Sequence, residues 1–295
     1  MVKVVGNSIY GKLKRPLDSF LVVLIYFCAM ISILLLAVIV GYVFFRGISS
    51  VSWAFLTTVP STIKGTFGIA GNIVNTIYIV VITLIIATPI GIGAAIYLSE
   101  YAKPGRLVRT IEFTTETLSG IPSIIFGLFG MVFFGGILGF GFSIITGCFT
   151  LTLMVLPLII RNTQESLKTV PESYRSGALG IGATKWYMIR TILLPSAMPG
   201  IVTGVILAIG RIVGESAALL FTAGSGFLLP KFGEHGEGLL EKVFDSGGTL
   251  TIQLYLNMSK AQYDEAFGIA LVLLVIVFII NLLTKFLAHK FDVNK

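Results

Sequence analysis

Residues 19–45 and 65–99 contain no Asp, Glu, Lys or Arg, and residues 117–160 form a third charge-free run. That third run is about twice the roughly 20 residues an α-helix needs to cross a hydrocarbon core. Inside it the segment GGILGFG (135–141) reads as a turn between two spans. A fifth apolar segment, 196–221, contains Arg211 and Glu215, and a sixth, 266–284, continues into KFLAHKF. These runs predict an all-α membrane protein of six transmembrane helices. The composition agrees: 55% of residues are hydrophobic, 12% are charged and the mean hydropathy is +0.96, whereas a soluble domain carries about a quarter charged residues.

The first run follows Lys3, Lys12, Lys14 and Arg15. It is longer than the roughly 7–15 apolar residues of a cleavable signal, so it reads as a retained anchor. The other basic residues cluster at Lys103, Arg106 and Arg109, between Arg175 and Pro195, and at Lys285, Lys290 and Lys295. The alternate loops carry only Arg46, Lys64, Lys231, Lys242 and Lys260. This asymmetry places both termini in the cytoplasm of a multi-pass protein in the plasma membrane. It also accounts for the formal charge of +7 as a topology signal, with no nucleic-acid partner. The expected organisation is a cytoplasmic segment 1–16, a first helix with its external loop 17–64, a core of five transmembrane helices 65–290 and a cytoplasmic tail 291–295. Within the core, 163–195 is a cytoplasmic loop and 223–264 an external one.

Reactive chemistry finds little support. Cys28 and Cys148 lie inside apolar runs, where a thiol packs as a small hydrophobe. His235 and His289 have no Cys or carboxylate at ligand spacing, so neither a metal nor a cofactor is expected. The sequence has no H-E-x-x-H pair, no G-x-S-x-G elbow and no G-x-x-x-x-G-K-[ST] phosphate loop. A catalytic role is therefore not expected, and any active transport must draw on an ion gradient or on an ATP-hydrolysing partner.

The stretch RSGALGIGATKWYMIRTILLP (175–195) is polar and basic between two apolar runs. Pro171 can open a helix, Gly180 and Gly182 can break it, and Thr184 can cap a second helix that Pro195 ends. The result is a helical elbow presenting Ile181, Trp186 and Tyr187 among Arg175, Lys185 and Arg190. Basic residues at a membrane surface can hold anionic lipid, while a compact elbow with apolar points suits a protein groove.

Ser176, Gly177, Ala178, Gly182, Ile192, Leu194 and Pro195 resemble the E-A-A, three residues, G, nine residues, I-x-L-P loop of ABC importer permeases. Ser176 stands where that loop has Glu, and Gly177 where it has its first Ala. ATPIGIGAAIYLSEYA (87–102), LSGIPSIIFGLFG (118–130) and VPESYRSGALGIGATKW (170–186) resemble the phosphate ABC transporter permeases, and GESAALLFTAG (214–224) is similar to their PstA-type subunits. The resemblance implies a MetI-like fold and a loop that couples to an ATPase. It also implies a second, PstC-type permease, two PstB-type ATP-binding subunits, an extracytoplasmic PstS-type phosphate-binding protein, and phosphate as substrate.

Arg211 and Glu215 are four residues apart and would share a face of an unbroken fifth helix. Two readings are open: a mutually neutralised structural pair, or an arginine that meets an anion while Glu215 tempers its field. A charge held at mid-membrane faces a cavity or a partner, and a guanidinium fork matches two phosphate oxygens. Gly200 with Gly204, and Gly210 with Gly214, are small-xxx-small pairs that permit close helix contact. Pro122 is expected to kink the third helix, with Ser119 or Ser123 beside a path, and Glu112 and Glu116 to sit at a helix N-terminus. The polar loop after Lys231 is either a contact surface for a binding protein or a cover packed on the spans. An ion-coupled carrier, or a permease for another oxyanion, is the alternative to a phosphate importer.

Overall fold

The computed structural model describes residues 16–60, 67–103, 105–229 and 241–290. The N-terminal basic cluster, Lys64, Lys231, His235 and Lys295 lie outside them. The chain divides into two compact units, Met1–Arg46 and Gly47–Lys295. The described part of the first is the helix α1 (Pro16–Gly47), which is apolar on every side, the pattern of a helix surrounded by lipid.

All the regular structure in the described residues of the second unit is helical. After the short α2 (Trp53–Thr57) comes α3 (Ala70–Ile96), extended by a wide π-turn over Tyr97–Tyr101. There follow α4 (Arg106–Ser119), α5 (Ser123–Gly130) with a π-turn to Ile137, and α6 (Ile144–Lys168). The elbow comprises α7 (Glu172–Gly180) and α8 (Lys185–Met188), and α8 runs through a π-turn (Ile189–Leu193) into α9 (Leu194–Gly214). The chain then forms α10 (Ala217–Thr222), α11 (Leu250–Ser259) and α12 (Tyr263–Lys290).

Among the described residues five helices are long and apolar enough to span a membrane, and α4 with α5 to Ile137 makes a sixth if counted as one broken span. The break there is larger than the kink expected of Pro122: the two halves meet at 102°. Pro122 occupies the cap position of α5 with an extended ψ of 137°, and its missing N–H and fixed φ stop α4 from continuing. The turn expected in GGILGFG is present, with Gly139 and Gly141 at φ of +77° and +59°, the left-handed region where a side chain is costly.

In lipid there is little hydrophobic force between helices, so they associate through close packing. The core is the three-way contact of α3, α6 and α9, filled by Ile79, Leu151, Met154, Val155, Ile159, Ala208 and Ile212. Gly91 lies on Ile159, and Gly200 and Gly204 lie on Ser166 and Asn162 of α6. Among the described residues, only the first of the two glycine pairs on the fifth span packs against another helix. Gly210 and Gly214 have no atom within 4 Å of where a Cβ would stand.

These contacts align α6 and α9 antiparallel, with Gly204 beside Asn162. Lys103, Lys168 and Lys185 consequently gather at one end of the bundle, here called the basic end. At the far end, part of the polar loop proves to be structured. Residues 241–244 form a 3-10 turn, and Val243, Leu250 and Ile252 are buried. The side-chain amides of Asn72 and Asn75 on α3 donate to the carbonyls of Gly248 and Gly226, each at 3.0 Å, and Thr76 accepts from the Leu250 N–H at 3.0 Å.

The contrast between the two glycine pairs can be tested directly. A Cβ at residue 204 would sit 2.7 Å from the Asn162 Cβ, so Gly204→Ala is expected to cost about 1–3 kcal/mol of stability through overpacking. Gly210→Ala should be neutral or stabilising, because the methyl group enters open space and the helix gains propensity. The thermal midpoints of the two purified variants in detergent, compared with the wild type, check this.

Candidate functional site

The elbow is built by local rules. Pro171 precedes α7, and Glu172 places a carboxylate in its positively polarised first turn. The helix ends in a Schellman arrangement: Gly182 takes φ of +85°, Gly182 N–H donates to Leu179 O, and Ala183 N–H donates to Ala178 O. Thr184 then caps α8, its hydroxyl accepting from the Tyr187 N–H at 3.3 Å.

Pro195 departs from expectation, because it does not end the second helix. Lys185–Gly214 is one continuous 30-residue span. The π-turn resets the hydrogen-bond register, with Leu194 N–H bonded to Ile189 O, and Pro195 falls in the first turn of α9 where a missing N–H is tolerated.

The elbow has its own small core. Ala178, Met188, Ile189, Leu193 and Ala197 are buried against Leu167, Val170 and Ile96, with Ile192 and Leu194 partly buried beside them. Its outer side leaves Tyr174, Leu179, Trp186 and Tyr187 exposed, and Ile181 is 87% exposed. Ser176 spends its hydroxyl on its own helix, donating toward the carbonyls of Glu172 and Ser173. Gly177 faces open space, so the alanine of the ABC importer loop would fit there equally well.

Between α4, α6 and α9 lies a cavity of about 340 Å³ whose lining includes Glu112, Glu116, Ser119, Arg161, Glu165, Lys168 and Arg211. Arg161 bridges two of the carboxylates, at 3.1 Å to Glu116 and 3.2 Å to Glu165. Arg211 is partly buried and makes no ion pair or hydrogen bond among the described residues. Side chains lean toward the N-terminus of their helix, which on α9 is the basic end. That lean carries the guanidinium from the last turn of α9 toward Leu158 and Arg161, with which it lines the cavity.

Three expectations for this region change. Helix α9 stops at Gly214, and Glu215 is extended (φ −81°, ψ 126°), so Arg211 and Glu215 share no helical face and form no ion pair. Instead the Glu215 carboxylate accepts from the Ala218 N–H at 3.0 Å in the first turn of α10, and its carbonyl accepts from the Thr251 hydroxyl at 2.9 Å. Glu112 and Glu116 lie in the body of α4, because that helix begins at Arg106. Ser119, not Ser123, lines the cavity, and Ser123 is the first residue of α5.

Arg161 was overlooked in the sequence. The signal for it was present: Arg161, Glu165 and Lys168 recur at helical spacing just beyond the charge-free run.

A bundle of apolar spans whose basic end carries a capped elbow with its own core defines a polytopic membrane component. The chain belongs to the family of binding-protein-dependent transport system inner membrane components, which its residues 87–293 match. It is thus a multi-pass inner-membrane permease of an ABC importer, a class in which partner subunits hydrolyse ATP and a second permease and a binding protein complete the assembly.

Among its relatives is the probable ABC transporter permease protein YqgI of Bacillus subtilis, 35% identical over 267 residues, covering 88% of this chain and 91% of that protein. The phosphate transport system permease protein PstA of Yersinia pestis is 39% identical over 181 residues, 60% of each chain. PstA 1 of Mycobacterium tuberculosis (strain H37Rv) is 33% identical over 204 residues, 68% of this chain and 63% of that one. In fold, the chain is similar to a bacterial ABC transporter involved in the import of the acidic polysaccharide alginate, with a TM-score of 0.66 at 14% identity over 96% of this chain and 100% of that one. It is also similar to the MetNI methionine ABC transporter, with a TM-score of 0.55 at 19% identity over 76% and 94% of the two chains.

The capping role of Glu215 separates two substitutions. Glu215→Gln keeps an oxygen for the Ala218 N–H and should leave stability nearly unchanged. Glu215→Ala removes the acceptor and is expected to cost about 1 kcal/mol, as loss of a helix cap does. Equal destabilisation by both, measured as thermal midpoints in detergent, would point instead to a charge interaction.

Proposed function

We propose that the chain is the PstA-type permease subunit of an ATP-driven importer of inorganic phosphate. It forms the translocation path with a PstC-type permease, receives phosphate from an extracytoplasmic PstS-type binding protein, and is driven by two PstB-type ATP-binding subunits. The basic end is then the cytoplasmic one, as the distribution of Lys and Arg requires, and both termini lie on that side. The elbow 171–195 docks on an ATP-binding subunit through Ile181, Trp186 and Tyr187. An ion-coupled carrier has no use for such an elbow.

The observation that carries the substrate assignment is Arg211. A cation kept in a membrane span without a partner of its own is costly, and here it borders a cavity in which Arg161 is already engaged by carboxylates. Its free donors suit an oxyanion, and the fork can meet two oxygens of one phosphate. PstA relatives at 33–39% identity favour phosphate over other oxyanions. Glu215 acts at one remove, by fixing the start of α10 beside this span. Ser123 joins the path only through a rearrangement at the α4–α5 bend, whereas Ser119 already lines the cavity.

The test is uptake of labelled phosphate by cells lacking the chain and complemented with variants, with sulfate and molybdate as controls. Arg211→Gln breaks no ion pair, so it should reach the membrane at wild-type abundance while phosphate uptake falls by about tenfold or more, the worth of a charge-assisted hydrogen bond of roughly 1.5–3 kcal/mol. Arg211→Lys should recover part of the loss, since it restores the charge without the fork. Normal uptake by well-expressed Arg211→Gln would retire this role, and sulfate uptake in place of phosphate would reassign the substrate.

A further inference from the structure

Beyond its apolar core, the elbow is tied to the rest of the bundle chiefly through one arginine. A guanidinium has five N–H donors, and at Arg175 every one is used. Nε and Nη2 donate to Glu100 Oε1 at 3.2 and 3.0 Å. Nη2 also donates to Leu167 O at 2.9 Å, and Nη1 donates to Val170 O at 3.0 Å and to Glu172 Oε2 at 3.2 Å. The Arg175 and Glu100 side chains are only 16% and 6% exposed. The same turn, Tyr97–Tyr101, receives a second tie: the Lys185 ammonium donates to the Glu100 carbonyl and stands 5.1 Å from the centre of the Tyr101 ring. Both arms of the elbow, α7 through Arg175 and α8 through Lys185, are therefore fastened to the basic end of α3. Arg175 adds the Leu167 carbonyl in the last turn of α6 and the Val170 carbonyl just past it, where a cation also complements the helix dipole.

We propose that Arg175 is a positioning residue that locks the elbow to the ends of α3 and α6, so that displacement of the elbow by an ATP-binding subunit moves those two helices with it. The inference rests on the docking reading above and adds the route by which force leaves the elbow. Its physical basis is the enclosure of the pair. An exposed ion pair is worth little and yields readily, whereas parting an enclosed one strands a desolvated charge, so under load the elbow and the helix ends shift together. Helices α3 and α6 form the core with α9, and α6 and α9 border the cavity with Arg211. The lock therefore ends on α6, which walls the proposed path, and on α3, which packs against α6.

The test uses the full chain in lipid nanodiscs, alone and assembled with the ATP-binding subunits, in wild type, Glu100→Gln and the milder Arg175→Lys. In the chain alone, amide hydrogen exchange over residues 172–193 should accelerate about tenfold in Glu100→Gln and less in Arg175→Lys, while exchange in the middle of α3 and α6 stays unchanged. In the assembled transporter the ATP-binding subunits should still co-purify and hydrolyse ATP, but phosphate moved per ATP should fall by about tenfold, within the range of coupling between sites. Unchanged exchange in both variants overturns the lock, and faster exchange with an unchanged transport ratio overturns its role in transmission. A wild-type chain that retains no ATP-binding subunit would count against the docking reading, while the exchange measurement still judges the lock.

Discussion

A peptide group inside a membrane has no water to bond, so every N–H and C=O released by a break in a helix must find a partner in the protein. The breaks in this chain are covered accordingly. Where α9 ends at Gly214, the Glu215 carboxylate takes the Ala218 N–H and Thr251 takes the Glu215 carbonyl. Where the chain returns at the far end, Asn72, Asn75 and Thr76 supply side-chain bonds to the backbone of Gly226, Gly248 and Leu250. Ser246 adds bonds to Ala223 O and Gly226 N. At the α4–α5 bend the solution is Pro122, which has no N–H to satisfy.

The same constraint explains why the elbow can serve as a mechanical part. Arg175 takes the Leu167 carbonyl in the last turn of α6 and the Val170 carbonyl just beyond it, so the bonds that anchor the elbow also help finish that helix. The Schellman turn at Gly182 and the Thr184 cap close the two short helices without help from outside. The outer side, with Ile181, Trp186 and Tyr187, stays exposed. The π-turn at Ile189–Leu193 then carries the chain into α9, which presents Arg211 to the cavity some twenty residues farther along.

What the sequence revealed and what it concealed follow the range of the interactions. The apolar runs, the glycine turn at 139–141, the break at Gly182 and the cap at Thr184 are local, and each was legible from neighbouring residues. Pro122 predicts a kink, but nothing in the neighbouring residues sets the 102° bend found there. The fifth span looks continuous because Glu215 and Ser216 are followed by the apolar AALLF (217–221), and nothing local announces that the Glu215 carboxylate accepts a bond in the first turn of α10. Pro195 looked like a terminator because a π-turn has no sequence signature of its own. The Arg175–Glu100 contact joins residues 75 positions apart, and the Asn72 and Asn75 bonds span more than 150. Such pairings are made by packing α3 on α6 and α9, and only the packed bundle exposes them.

The central claim is that the elbow couples this permease to an ATP-hydrolysing partner, and contact is its most direct test. A photo-crosslinking residue at position 186, in place of the exposed Trp186, should capture an ATP-binding subunit in native membranes, while the same probe at Leu228 at the far end should not. Failure at position 186 and also at Ile181, in membranes where the transporter is assembled and active, would contradict the account.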